Sequence, residues 1–518
     1  MYSFEQKAEK LKQSYTECYN VLQRKLMVKN LVTQEEMNTL NLRQLISRIP
    51  SRITVNNDIT IMNISVSSGD TELVVRWSEP TDSDGFTWQN TKVVYKEGSY
   101  PTSVSDGTLA VENTTRDNYS TNGFRITNLT NDTEYFISFF VFNTRGEGFK
   151  NDNNRAKGTP TEYDIMTVVI DINNEDPEAR CTYANKATTM TPKSEEWDTW
   201  FDFFPCVLNQ GQVFKRLKRN NRRQYEDGSS AEVFQGREGD SMMCYSLKGV
   251  KLEKVGDTLE VSMTNGRDVA GFQYFAHSRG DVVKDNLYLG AYLACEVDGR
   301  LRSLSNKQPL TRLTLSQGRQ KAQANGAGYD QWGFYQILFI ETMYLLKYKN
   351  TNSQEALGKG FTAGEGVYKL TGQNDMLPLD YAEDSEYTPM TLFGIENFWG
   401  NVWQWVEGFR TDDEKNILTA TENFNDRGDG YTNHGQLAGT ENINGYTKTV
   451  IGTNEGGFIT TNSDASNTTY YCDYGYLGNN SVPNFGGMWP RGSGAFCFDA
   501  FVSPTASDPT IGTRLMYL

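Results

Sequence analysis

At 518 residues the chain has room for roughly three or four domains with real cores. A net charge of −15 argues against nucleic-acid binding and against an anionic membrane surface. Two histidines exclude three-histidine metal sites, and seven scattered cysteines without a CxxC pair read as buried free thiols of a chain folded in a reducing compartment.

The first residues, Met-Tyr-Ser-Phe-Glu-Gln-Lys, lack the basic start and apolar core of a secretory leader. No apolar run reaches the roughly 18–20 residues of a membrane span. The expectation is a chain made in the cytoplasm, with no membrane insertion. Residues 1–49 contain no Gly or Pro, and Phe4, Ala8, Leu11, Tyr15, Cys18 and Leu22 repeat at heptad a/d spacing. Thr33-Gln-Glu-Glu36 forms a capping box for a second helix carrying Met37, Leu40, Leu45 and Ile49. Residues 1–52 therefore read as a helical segment that oligomerises, with a homotrimer favoured. The short helix, break and Leu/Ile-rich second helix resemble the N-terminal attachment regions of phage tail fibres. That resemblance implies other virion proteins as partners.

Residues 53–160 read as all β. Val74, Val75 and Trp77 form one strand, Lys92–Tyr95 another, and Phe124–Ile126 leads into Leu129…Tyr135 and a long strand to Asn143. Trp77, the Leu129…Tyr135 corner and the Asn143…Gly146 turn resemble a fibronectin type III β-sandwich, which implies a spacer module. Residues 161–179 read as a linker and a first strand, Ile165–Ile172.

From residue 180 the pattern mixes strands with one helix, Trp332 to about Tyr348, which is apolar almost all round and so expected to be buried. Lys215–Arg223 carries six basic residues in nine and reads as a solvated hairpin paired with local acids. Trp399, Trp403 and Trp405 fall within seven residues, with Trp403 and Trp405 at strand spacing on one face. They read as core.

Gly400-Asn-Val-Trp-Gln-Trp405, followed by Gly486-Gly-Met-Trp489 and Ile511-Gly-Thr-Arg514, resembles the C-type-lectin-like fold of the formylglycine-generating-enzyme type. The run Tyr288–Tyr292, Leu301–Ser305 and Asn352–Gln354 narrows the resemblance to lectin-like domains of phage receptor-binding proteins, including targets of diversity-generating retroelements. It spans residues 180–518. The implied fold is multidomain and mainly β: N-terminal helices, a fibronectin type III sandwich and an α+β lectin-like domain. The implied function is a tail or fibre protein, homo-oligomeric, carried in the virion after assembly in the host cytoplasm and release by lysis. It binds a host surface receptor, glycan or protein, through residues 470–502.

Carried over from that family, the binding positions after the Gly-Gly pair are Met488, Pro490, Arg491, Ser493, Cys497, Asp499 and Phe501, with Trp489 as framework. The period of 497–502 puts Cys497, Asp499 and Phe501 on one face and Phe498 and Ala500 on the other. Upstream, Tyr471, Asp473, Tyr474, Tyr476 and Asn479 sit in a Tyr/Asn/Ser/Gly loop whose rings and amides suit recognition. The oxidase members of the fold use a cysteine after Gly-Phe-Arg, where this chain has Leu515, so no catalytic residue is assigned. No cofactor is expected. The acidic stretches Asp412–Glu414 and Asn425–Asp429 leave structural calcium open, without EF-hand spacing. A purely structural fibre protein and a glycan- or sulfatase-directed enzyme of the same fold are the competing readings.

Overall fold

The computed structural model describes residues 59–83, 86–120, 123–363, 368–488 and 493–518. The helical segment expected over residues 1–52 lies outside the described residues. The chain divides near Pro160 into two compact units and is mainly β.

Seven strands precede Pro160: β1 (Met62–Gly69), β2 (Glu72–Ser78), β3 (Trp88–Glu97), β4 (Thr108–Asn113), β5 (Phe124–Ile126), β6 (Tyr135–Asn143) and β7 (Gly148–Gly158). They form a three-stranded sheet, β1-β2-β5, and a four-stranded sheet, β4-β3-β6-β7. β3 and β6 pair antiparallel from Trp88↔Asn143 to Glu97↔Tyr135. Their β-branched and aromatic residues suit a surface buried on one side. The sheets meet where Trp77 packs edge-on against Phe139, ring centroids 5.4 Å apart. The buried indole N–H donates to Glu79 Oε1 at 2.7 Å, and Thr91 donates to the other oxygen of the same carboxylate at 2.5 Å. The Trp77 indole and Glu79 carboxylate thus satisfy each other inside the core.

The second unit begins earlier than residue 180. Within the stretch expected as a linker and first strand, β8 (Ile165–Asp171) forms as an interior strand of the sheet β14-β15-β8-β9. Its partners are β9 (Cys181–Asn185) and β15 (Thr258–Thr264), and β14 (Gly249–Val255) is at the edge. β8 pairs with β15 along its whole length, Ile165↔Thr264 to Asp171↔Thr258. Buried apolar residues at 166, 168 and 170 hold it there.

A seven-stranded sheet joins β12 (Asn221–Tyr225), β11 (Gln212–Lys218), β10 (Phe203–Asn209) and β13 (Asp240–Ser246) to Asn286–Gly290, the C-terminal Leu515–Tyr517 and Tyr329–Gln331. The helix Phe334–Tyr348 is buried at all of its residues, as its apolar circumference predicts. Lys347 is accommodated there because Asp198 and Asp380 both pair with it.

The basic hairpin is β11–β12. Lys215, Arg219 and Arg223 pair with Asp227, Asp198 and Asp375 at 3.0, 3.0 and 3.2 Å, as expected of a hairpin among local acids. Arg222 departs from that expectation. It is fully buried and donates to the carbonyls of Asn374 at 2.6 Å and Leu377 at 3.3 Å.

Candidate functional site

The third sheet of this unit is six-stranded. Its order is Ile443–Tyr446, Tyr474–Leu477, Phe498–Val502, Val482–Phe485, Trp403–Trp405 and Ile511–Gly512. The Gly400–Trp405 and Ile511–Arg514 motifs are therefore neighbouring strands, paired in parallel at Trp403↔Ile511 and Gln404↔Gly512. Gly400 N–H donates to the Gly486 carbonyl at 2.7 Å, which ties in the third motif. Both glycines have positive φ, and a Cβ on either would meet backbone oxygen at 2.8 Å. Beneath them the fully buried Arg514 donates to Gln404 Oε1 at 3.0 Å, and to the carbonyls of Gly290, Glu396 and Asn397 at 2.9, 2.9 and 3.1 Å. The indole N–H groups of Trp399, Trp405 and Trp332 donate to the carbonyls of Lys359, Leu313 and Trp405. The tryptophan cluster is framework, as read from the sequence.

One face of this sheet packs into the main core through Phe485, Phe498, Ala500 and Leu477. The other changes character along its width. At one end Trp405, Val482 and Ile511 are covered by Leu313 and Leu315. At the other the face is open. A cross-strand row runs Trp405↔Asn484↔Asp499↔Tyr476↔Asn444 through four pairings. It starts at a buried indole and ends at an exposed amide.

Beside this row Tyr446 pairs with Tyr474, ring centroids 5.5 Å apart, and Tyr474 Oη donates to Asn444 Oδ1 at 2.7 Å. Tyr476 packs on Phe501 at 4.4 Å. Phe501 is 60% exposed and Tyr474 41%. An aromatic pair of this kind contributes about 0.5–1.5 kcal/mol beyond its area burial, which fixes the rings before any ligand arrives. Backbone ladders on both sides hold the strands that carry them. The surface offers flat apolar rings, phenol hydroxyls, an amide and one carboxylate, a set that can stack on a ligand ring and hydrogen-bond around it.

The expected binding residues divide into two groups. Tyr474, Tyr476, Asp499 and Phe501 meet on the open face, and Asn479 is exposed in the neighbouring turn. Tyr471, Asp473, Ser493 and Cys497 are buried and correct that expectation. Tyr471 packs on Phe496 at 5.2 Å and under the Arg180 guanidinium at 4.9 Å. Asp473 accepts the Phe496 N–H at 2.9 Å and a Gln354 amide proton at 3.3 Å, so it tethers the 493–497 loop from inside. Burial pushes its carboxyl up to about 7. Met488 is half-buried against Leu293, Phe361 and Val402. Pro490 and Arg491 lie outside the described residues, as does Trp489.

Asn444 and Tyr446 were missed by the sequence reading. Their alternation with the buried Ile443 is too short to mark a strand. The pairing that places them beside Tyr474 and Tyr476 spans about thirty residues of sequence, and no local signal carries it.

His277 is sealed in the core, with neither ring nitrogen hydrogen-bonded and its pKa lowered to about 3 by burial. The six described cysteines are buried. Among the described residues no group of three His, Cys, Asp or Glu side chains is arranged to hold a metal. The acidic stretches serve turns instead. Asp412 accepts the N–H groups of Glu414 and Asn416, Asn425 accepts those of Arg427 and Asp429, and Asp426 pairs with Arg319. No described helix is long and apolar enough to cross a membrane. No protein-family model matches this chain, and no curated protein matches it significantly.

Proposed function

We propose that this chain is a phage tail or fibre protein whose C-terminal unit binds a host-surface receptor through the open end of the six-stranded sheet. The single observation that carries the reading is the ring cluster of exposed Tyr474 and Phe501 and half-buried Tyr476, held on a backbone ladder over a packed core. Exposed aromatic groups on a rigid support lose little entropy on binding, so they favour recognition.

Three further features support the reading. The three-plus-four strand order around Trp77 fits a fibronectin type III spacer. The contact between the Gly400–Trp405, Gly486–Gly487 and Ile511–Arg514 motifs fits a lectin-like fold. The heptad seam of the first residues fits a homo-oligomer, a trimer, attached to other virion proteins and multiplying a weak site by avidity. Recognition without turnover is the activity proposed.

Particles carrying Tyr476→Ala and Phe501→Ala together test this. The expected result is normal assembly with adsorption reduced at least about tenfold, the factor that 1.4 kcal/mol of lost contact produces. Normal adsorption would leave the alternative in which this face only contacts other virion proteins.

A further inference from the structure

A second site lies elsewhere in the same unit, and it shares no lining residue with the open sheet face. It is a cleft of about 710 Å³ between the turn at 272–283, the strands Ile417–Thr419 and Thr432–Asn433, and the helix Phe334–Tyr348. That volume falls in the range of about 300–1,000 Å³ typical of small-molecule sites. Phe275 is half-buried at its wall, its ring 4.7 Å from that of Tyr335, and Leu437 adds aliphatic surface.

A hydrogen-bonded chain crosses the cleft wall. Tyr335 Oη lies 2.8 Å from Thr419 Oγ1, and Thr419 Oγ1 lies 2.7 Å from His434 Nε2. Each of these two contacts can run either way, and both hydroxyl protons find an acceptor within the chain in the arrangement where the Tyr335 phenol donates to Thr419. Thr419 then spends its own proton on His434 Nε2. A neutral imidazole that accepts at Nε2 carries its proton at Nδ1. Burial holds the ring below its ordinary pKa, in keeping with the neutral form. In that arrangement Tyr335 and Thr419 make His434 a donor at Nδ1.

The hydroxyls and amide of Ser278, Thr421, Thr432 and Gln273 add donors and acceptors, and the charged groups of the cleft are all carboxylates. Glu455 and Asp281 line it, while no lysine or arginine does among the described residues. Two carboxylates and no cation repel an anionic ligand. What fits is an uncharged molecule with several hydroxyl donors, at least one acceptor oxygen and an apolar face for Phe275. We propose that this cleft binds one residue of a neutral saccharide, stacked on Phe275, accepting from His434 Nδ1–H and donating hydroxyl protons to Glu455. The site stands or falls independently of the receptor face.

The chain's two histidines make the test selective, because the imidazole ¹⁵N spectrum of the histidine-labelled full-length protein has two residues to report. His277 is the internal control. The probes are glucose, galactose, N-acetylglucosamine and their neutral disaccharides, with glucuronate as the anionic comparison. The free protein should show His434 as the Nδ1–H tautomer, and at least one neutral sugar should shift the His434 signals while leaving His277 in place.

Phe275→Ala and His434→Leu should weaken that binding at least about tenfold, as loss of a stacked face or of a buried donor does. His434→Gln should retain part of it, since the amide can take the Thr419 proton on its oxygen and donate from its nitrogen. Tyr476→Ala/Phe501→Ala should leave it unchanged. Thermal melting of each variant separates lost binding from lost folding. An Nε2–H tautomer in the free protein would overturn the proposal. So would the absence of any His434 shift with every neutral sugar, or binding of glucuronate as tight as that of the neutral sugars.

Discussion

Removing the Arg514 guanidinium would take a donor from Gln404 Oε1 and from the carbonyls of Gly290, Glu396 and Asn397 at once, the last of which keeps the Gln404 amide. Each buried acceptor left unpaired costs about 1–3 kcal/mol, and neighbouring losses overlap. Arg514→Leu should therefore destabilise the C-terminal unit by about 3–5 kcal/mol, read as a lower urea midpoint. A loss below about 1 kcal/mol would show that water replaces the guanidinium there.

Two buried carboxyls predict a pH response. Burial raises Asp473 from 3.8 and Glu396 from 4.5, both to about 7. In the folded state each therefore binds a proton that the unfolded chain has released. The stabilisation is complete below the unfolded pKa values and is lost as pH rises through about 7. His277 acts in the opposite sense. Its folded pKa is lowered from 6.5 to about 3, so it withdraws stability only as pH falls below 6.5. The melting temperature should rise on going from about pH 8.5 to about pH 6.5, each carboxyl contributing roughly 0.8 kcal/mol over that span, most of it below about pH 7.5. Asp473→Asn should flatten part of that slope. A melting temperature that climbs steadily from pH 6.5 to 8.5 would contradict these assignments.

At the scale of elements, the Trp403–Trp405 strand divides its work between its two indoles. Trp405 is fully buried and Trp403 half-buried. Trp405→Ala should cost about 3–5 kcal/mol in a denaturant titration, and Trp403→Ala clearly less. Equal costs would mean that Leu310 and its neighbours seal both rings equally.

What the sequence disclosed here followed the periodicity. Phe498, Asp499, Ala500 and Phe501 alternate in a true strand, but apolar residues on both faces left the outward pair undetermined by period, and the family resemblance chose Asp499 and Phe501. Residues 470–473 resisted the same reading because Tyr470 and Cys472 adopt positive φ, 57° and 59°, which breaks the strand period just before Tyr474. Asp473 was therefore taken for a displayed carboxylate when the turn carries it inward. The helix Phe334–Tyr348 was legible because an all-apolar circumference has one stable location. The cleft at His434 was not, since Thr419 and Tyr335 lie 15 and 84 residues from their hydrogen-bond partners.

At the scale of the molecule, the place where the second unit begins is a testable boundary. The strand Ile165–Ile172 was legible as the first of the next unit, while its pairing with β15, about 95 residues on, carries no local signal. A fragment spanning residues 160–518 should fold cooperatively, while one spanning 180–518 loses an interior strand and should be insoluble or molten. Circular dichroism and proteolysis of the two fragments check this. Equal folding of both would make β8 an accessory.

The central claim is that the open sheet face is what engages the host. Its most direct measurement is competition. Particles adsorb to host cells in the presence of excess purified full-length protein, either wild-type or carrying Tyr476→Ala/Phe501→Ala with an unchanged melting temperature. The account predicts that the wild-type protein blocks adsorption and the variant does not. If the variant competes as well as the wild-type protein, the receptor is bound elsewhere on the chain and the claim is wrong.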